Sequence, residues 1–207
     1  MIKNIKIYKK EKISTNIKKQ VTIILKEENP NSILAKLSDR IIFEYFDIIT
    51  SSNFLELYLA ENNSKIIGYA ITAKKPKYLI TEIYPLKFKI FFNLLINLEF
   101  LTIFNIIISI LKIDLIFLKK SDVEFIENNH NLNLLAIKNS FQSKGIGGFF
   151  LKKIIKTISE NNKKKHITCE TYSERAANFY VKKCGFKKIG KKIRIYNNLY
   201  VLSSNID

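Results

Sequence analysis

At 207 residues and 47% hydrophobic side chains, the chain can bury a core of its own and is too apolar for a disordered or low-complexity polymer. Its net charge of +17 rests almost wholly on lysine, arginine occurring only as Arg40, Arg175 and Arg194. Readers of bases and phosphates lean on arginine's bidentate fork, so no specific nucleic-acid partner is expected; the charge reads as solvated faces and compositional bias, with some attraction for a polyanionic ligand. Two cysteines, Cys169 and Cys184, are too few to staple a domain and lack metal-ligand spacing. A reduced, cytoplasmic chain without a metal is therefore expected, and the lysine-rich first 20 residues hold no apolar signal region.

Ile5 and Ile7 alternate with lysines and predict a short first strand. From 16 to about 49 the apolar spacing is helical, and Asn29-Pro30-Asn31-Ser32 divides it into two helices, with Asn31 or Ser32 capping the second. Residues 54–59 and 65–71 flank the polar turn Glu61-Asn62-Asn63-Ser64 as a hairpin, closed by Pro76. Residues 91–111 carry one charge, Glu99, and their length invites a transmembrane reading. Two polar stripes weaken it: Lys89, Asn93 and Asn97, then Thr102, Asn105, Ser109 and Lys112. Being out of phase, they predict two amphipathic helices meeting near Glu99, packed on the domain or at a homodimer interface. A peripheral contact with a membrane or lipid-linked partner is the next reading, and a true span the last.

Then come a strand (132–137), a turn (138–145), a helix (147–161), a strand (167–171), a helix (174–183) and a final hairpin around Asn197-Asn198. The expectation is one α+β domain over 1–207, with an apolar helical insertion at about 77–130.

The run Leu134-Leu135-Ala136-Ile137-Lys138-Asn139-Ser140-Phe141 continues as Gln142-Ser143-Lys144-Gly145-Ile146-Gly147-Gly148 into an amphipathic helix. An apolar strand feeding a polar turn and a glycine-opened helix aims unpaired amides and the positive helix end at one point, an anion site. A dinucleotide fold would want GxGxxG in an early βαβ unit, and a P-loop Gly-Lys-Ser/Thr after its glycines; neither is present.

These residues resemble the GNAT superfamily of acyl-CoA-dependent N-acetyltransferases. Gln142-Ser143-Lys144-Gly145-Ile146-Gly147 matches its (Arg/Gln)-x-x-Gly-x-(Gly/Ala) signature, with the Leu-Ala-Ile strand before it. Ala176-Ala177-Asn178-Phe179-Tyr180, followed by Cys184-Gly185-Phe186, is similar to its A-x-x-F-Y … G-F segment, and Ile66-Ile67-Gly68-Tyr69-Ala70 to the strand before the cofactor strand. The resemblance implies a central mixed, mostly antiparallel sheet flanked by helices, with the insertion ahead of the cofactor strand. It implies acetyl-CoA as acyl donor, its pantetheine along Leu135, Ala136 and Ile137 and its pyrophosphate on the amides of Gln142, Ser143, Lys144, Gly145, Ile146, Gly147 and Gly148. Tyr180 matches the general acid for the leaving thiolate, and Ser173 stands where many members have a cofactor-contacting Asn, though a serine there also serves as a helix cap.

Two departures stand out. Many members carry a glutamate about six residues before the position of Ile137, where this chain has Asn131 beside His130. The base is thereby left open between His130, Glu170 and water. The Tyr180-to-Gly185 segment is one residue longer than the common spacing, which predicts a bulged helix end. The apolar insertion resembles that of members linked to polysaccharide and amino-sugar biosynthesis. That implies a small-molecule amine as acceptor, with a nucleotide-linked amino sugar as the favoured class; a protein or peptide amine, or a non-catalytic CoA-binding or membrane-interaction module, are the other readings.

Overall fold

The computed structural model describes residues 4–161, 166–194 and 199–205. The strands are β1 (Ile5–Lys10), β2 (Leu55–Asn62), β3 (Lys65–Ala73), β4 (His130–Ile137), β5 (His166–Thr171), β6 (Lys187–Lys192) and β7 (Leu199–Asn205). They form one seven-stranded sheet in the order β1-β2-β3-β4-β5-β7-β6. Only the β4–β5 pairing is parallel. This is the mixed, mostly antiparallel α+β sheet the sequence predicts. The β2–β3 connection is a tight turn in which Asn63 and Ser64 both take positive φ (47° and 61°), the twist that suits a two-residue hairpin. The β6–β7 strands pair as a hairpin, but the Asn197-Asn198 turn lies outside the described residues.

Period-2 alternation divides the buried side chains between two layers. Leu57, Leu59, Tyr69 and Ile71 face Ile24 and Phe46 of helices α1 (Thr15–Glu28) and α2 (Asp39–Ser51). Tyr58, Ala70, Leu132 and Cys169 face the opposite layer, where Phe150, Ile154 and Tyr180 come from the two helices that follow β4 and β5.

The second helix starts later than predicted. Ser32 does act as a cap, its hydroxyl accepting from the Ala35 amide at 3.2 Å, but only for a single 3-10 turn at Leu34–Lys36. Leu37 and Ser38 are extended, and α2 begins at Asp39, whose carboxylate suits the positive helix end.

Four helices fill the insertion: α3 (Pro76–Ile83), α4 (Lys87–Ile96), α5 (Phe100–Ile110) and α6 (Lys120–Asn128). α4 and α5 break beside Glu99, where Leu98 turns to φ 57°. Among the described residues no helix is long and apolar enough to cross a membrane. The polar stripes turn inward. Asn93 Oδ1 accepts from the Ser38 amide (3.1 Å), Asn97 Nδ2 donates to the Lys36 carbonyl (3.4 Å), and Lys89 pairs with Glu44 (2.5 Å). Glu99 takes the Lys36 ammonium at 2.9 Å.

At its far end the insertion docks on β6. Buried Asp114 accepts from Arg194 Nη1 at 2.6 Å, and its carbonyl accepts from the Ile193 amide at 3.1 Å. Burial works against the guanidinium's charge, but Asp114 outweighs it and holds Arg194 above its ordinary pKa. Gly190 leaves the room that Leu118 occupies. Removing one partner of a buried pair strands the other charge, so Asp114→Asn should lower unfolding stability by roughly 3 kcal/mol in a denaturant titration.

Candidate active site

At β4 the sheet comes apart. Its first three residues pair with β5 (His130 with Ile167, Asn131 with Thr168, Leu132 with Cys169), and there the ladder ends. On its other edge β3 follows β4 to the end, with a slip: Ile71 faces Leu134 while Thr72 faces Leu132. Asn133 is the extra residue of a β-bulge, which bends and twists the strand. The outer half of β4 thus leaves β5, and a fork opens from Asn133 to Ile137. The Lys138 amide donates to the Ile67 carbonyl at 2.8 Å, on the β3 side. Backbone alternation then directs Leu134 and Ala136 to β3, and the N–H and C=O of Leu135 and Ile137 into the fork. Gly68 makes this crossing close: a Cβ there would lie 2.7 Å from the Ala136 carbonyl and collide with the Ile137 side chain.

The fork runs out into the turn. A 3-10 turn at Asn139–Phe141 leads to Ser143 (φ 59°) and Gly145 (φ 77°), and helix α7 (Ile146–Asn161) begins. The first bond of that helix joins the Phe149 amide to the Gly145 carbonyl at 3.0 Å. The amides of Ile146, Gly147 and Gly148 therefore have no acceptor within the helix and crown its positive end. The three glycines do different work. Gly145 takes the left-handed conformation. Gly147 lets Phe179 approach, since a Cβ there would sit 3.4 Å from its ring. A Cβ on Gly148 would meet nothing within 4 Å, so its empty side faces open space.

Gln142 buckles this turn to its neighbours. Its Nε2 donates to the Ile137 carbonyl (2.8 Å) and to Glu28 at the end of α1 (2.7 Å), while its Oε1 accepts from Arg175 (3.3 Å). Glu28 also accepts from the Asn139 amide at 2.7 Å. Lys144 folds back onto the Ser140 carbonyl (2.7 Å), and the Ile146 side chain is buried in the core. Ser143 is exposed. Sequence reading missed Glu28 and Arg175 as members of this group; that Arg175 is one of three arginines was the available signal.

Helix α8 (Glu174–Cys184) carries Tyr180. Ser173 caps it, its hydroxyl accepting from the Ala176 amide at 3.3 Å. At the other end Gly185 (φ 75°) and Phe186 both donate to the Tyr180 carbonyl, bonds that span five and six residues. This widened last turn takes up the extra residue between Tyr180 and Gly185. The Tyr180 side chain is buried against Phe179 and Phe186, ring centroids 5.3 Å away in each case. Burial first, then the neighbouring Cys169 and Cys184, push its phenol well above the ordinary value. It therefore stays protonated throughout the physiological range, as a hydrogen-bond donor must.

Of the base candidates, His130 sits in the closed part of the fork and is fully buried, not the surface histidine that is the ordinary alternative at a strand start. Asn131 donates to Thr168 Oγ1 at 3.0 Å in the same closed part. Glu170 lies past the last β4–β5 pair, on the sheet face opposite Tyr180, and meets Lys192 at 2.6 Å. Asn133, which sequence reading passed over, has its Nδ2 buried without a partner among the described residues, where the fork opens. No cluster of metal-ligating side chains occurs among the described residues. A cleft of about 630 Å³ lies elsewhere, along α7 and the β6–β7 edge.

The described sheet thus forks at a parallel pair, and the fork ends on helix amides without an acceptor in the helix. Residues 121–199 match the family model of the acetyltransferase (GNAT) domain. No curated protein matches the chain significantly in sequence. Solved structures similar to it include a ribosomal-protein alanine N-acetyltransferase from Escherichia coli (12% identity, 98% of this chain and 94% of that one, TM-score 0.58). Others are a mosquito arylalkylamine N-acetyltransferase-like protein (13%, 97% and 99%, 0.58) and a Bacillus subtilis acetyltransferase in complex with CoA (14%, 97% and 98%, 0.54). At such identities the likeness speaks for the fold, and the family match for the domain. Residues 121–199 thus match an acetyltransferase (GNAT) domain, and the chain as a whole has the fold of the acetyltransferases it resembles.

Gly148→Ala should separate the two demands on this turn. The new methyl meets no protein atom and replaces a poor helix former, so stability should rise by about 0.5–1 kcal/mol in thermal melts. If a phosphate rests on that amide, acetyl-CoA affinity should fall about tenfold by calorimetry, the value of one displaced hydrogen bond.

Proposed function

We propose that the chain moves the acetyl group of acetyl-CoA to the primary amine of a small molecule, with nucleotide-linked amino sugars as the acceptor class. The observation that carries this reading is the insertion's cover on the α1–α2 face of the sheet. Ile103 and Ile106 of α5 pack in the same layer as Leu134, and the segment after α5 is pinned to β6 through Asp114 and Arg194. A cover across that face suits a compact acceptor better than an extended peptide, and the +17 charge favours one carrying phosphates. Cys169 and Cys184 are both unbonded, in keeping with a reducing, cytoplasmic setting.

In this mechanism the pantetheine arm adds to β4 through the backbone groups of Leu135 and the Ile137 N–H, and the pyrophosphate rests on the amides from Ser143 to Gly148, the Gln142 amide being held by the Asn139 carbonyl at 3.0 Å. The Ser173 hydroxyl caps α8 with its oxygen and keeps its proton to donate to the cofactor. Holding amine and thioester together in the fork supplies much of the rate. Glu170, acting directly or through water, takes the ammonium proton, and the neutral amine attacks the thioester carbon. The oxyanion receives a strand N–H beside the bulge, with Asn133 Nδ2 as a second donor. As the C–S bond breaks, Tyr180 donates its proton to the sulfur, and the second proton of the attacking nitrogen passes through water to restore the phenol. Its raised pKa makes it a reluctant acid, so its contribution grows as charge develops on the thiolate.

The test is thiol release from acetyl-CoA across nucleotide-linked amino sugars, polyamines, amino acids and peptides. Turnover should concentrate on the first group; preference for peptides would overturn the acceptor assignment. Tyr180→Phe should lower kcat roughly 10²-fold. Because the phenol is held above its ordinary value, the wild-type profile should show no loss of the acid below pH 10. Glu170→Gln should lower kcat/KM near neutral pH and recover as pH rises and the amine deprotonates unaided; a uniform fall at all pH values would assign Glu170 to structure alone.

A further inference from the structure

The insertion is amphipathic in the reverse sense. Its polar stripes bind the rest of the protein, while Phe88, Phe92, Ile96 and Phe104 of α4 and α5 stand exposed, joined by Ile116 and Phe117 beyond them. Ile96 and Phe117 are 77% and 75% exposed, more than a chance surface side chain of that kind. The stretch 77–120 carries an excess of lysine over carboxylate. Between 83 and 118 the only carboxylates are Glu99 and Asp114, and both are turned inward, to Lys36 and Arg194. Lys77, Lys87, Lys112, Lys119 and Lys120 lie within or beside this segment in sequence and are exposed, with Lys77 near the Tyr78 ring, Lys87 near the Tyr84 and Phe88 rings, and Lys112 paired with Glu127. α4 and α5, of 10 and 11 residues, are each about half a bilayer's hydrocarbon thickness long.

We propose that this face rests in the surface of an anionic lipid bilayer, with the aromatic and aliphatic side chains in the acyl boundary and the lysines among the headgroups. An isologous contact with a second copy would also cover the apolar area, but would bring these lysines towards their own copies on a partner of the same +17 charge. Anionic lipid satisfies both features at once. The sheet and the fork lie behind the insertion, so docking leaves them outside the membrane.

The test is cosedimentation of the full chain with vesicles of phosphatidylglycerol and phosphatidylcholine, and with vesicles of phosphatidylcholine alone. Partition should favour the anionic vesicles about tenfold or more and fall with salt. The combined Phe92→Ser, Phe104→Ser and Phe117→Ser variant should lose it, and Lys87→Glu with Lys112→Glu should weaken it. All five side chains are exposed, so unchanged melting and unchanged thiol release with a soluble amine would establish an intact fold. No partition, or equal partition onto neutral vesicles, overturns the proposal. A dimer in sedimentation velocity that the serine variant dissolves, without vesicle binding, also overturns it and assigns the face to a second copy. Neither result bears on acetyl transfer in solution.

Discussion

Strand β4 serves two neighbours whose courses diverge, and one residue reconciles them. With β3 it stays paired from Asn131 to Ile137; with β5 it pairs over three residues and then departs. Asn133, the extra residue opposite the Ile71–Thr72 step, supplies the bend. Without it the sheet would close, and Leu135 and Ile137 would spend their backbone groups on β5. The bulge carries a cost, since the buried Asn133 Nδ2 has no partner among the described residues, a loss of about 1–3 kcal/mol for such a group. A fold keeps such a deficit where the open geometry is what it needs.

The fork would be a floppy gap were its far end not tied. Gln142 does this from within the signature itself, joining the Ile137 carbonyl, Glu28 and Arg175. Strand end, α1 and α8 are thereby fixed around one turn, and the amides of α7 are presented by a framework rather than by a loose loop. Ile137 lies over Gly68 and against Gly147, and Phe179 closes on Gly147 from α8. The same small residues that permit a close phosphate also permit this packing. Tyr180 packs in the α7–α8 layer, on the sheet face opposite Glu170.

The fold was legible wherever a local pattern decided it. The strand, glycine turn and helix from 132 to 161, and the hairpin with positive φ at Asn63 and Ser64, follow from period and turn chemistry. The extra residue before Gly185 was legible as a spacing, and became a last turn spanning five and six residues. What stayed hidden was non-local. Asn133 looks like any polar residue in a strand, because a bulge depends on the register of its neighbour. His130 reads as a strand-start surface residue until β5 and the helices bury it. Ser32 carries the sequence mark of a helix cap, yet caps only one 3-10 turn because Leu37 and Ser38 must be extended to turn the chain into α2.

The insertion shows why periodicity alone could not assign its faces. A helix with a polar stripe is expected to turn it to water, since burial of polar groups costs unless each finds a partner. Here they do: Asn93, Asn97 and Lys89 meet the start of α2 and the turn before it, and Ser109 meets Arg194. Hydrogen bonds and ion pairs fix the orientation of α4 and α5 more specifically than apolar contact would, because each donor has one acceptor at one distance. Such docking holds the insertion in register on the rest of the protein, and it leaves the apolar stripe on the outside as a direct geometric consequence. One arrangement thus anchors the insertion and exposes its apolar face.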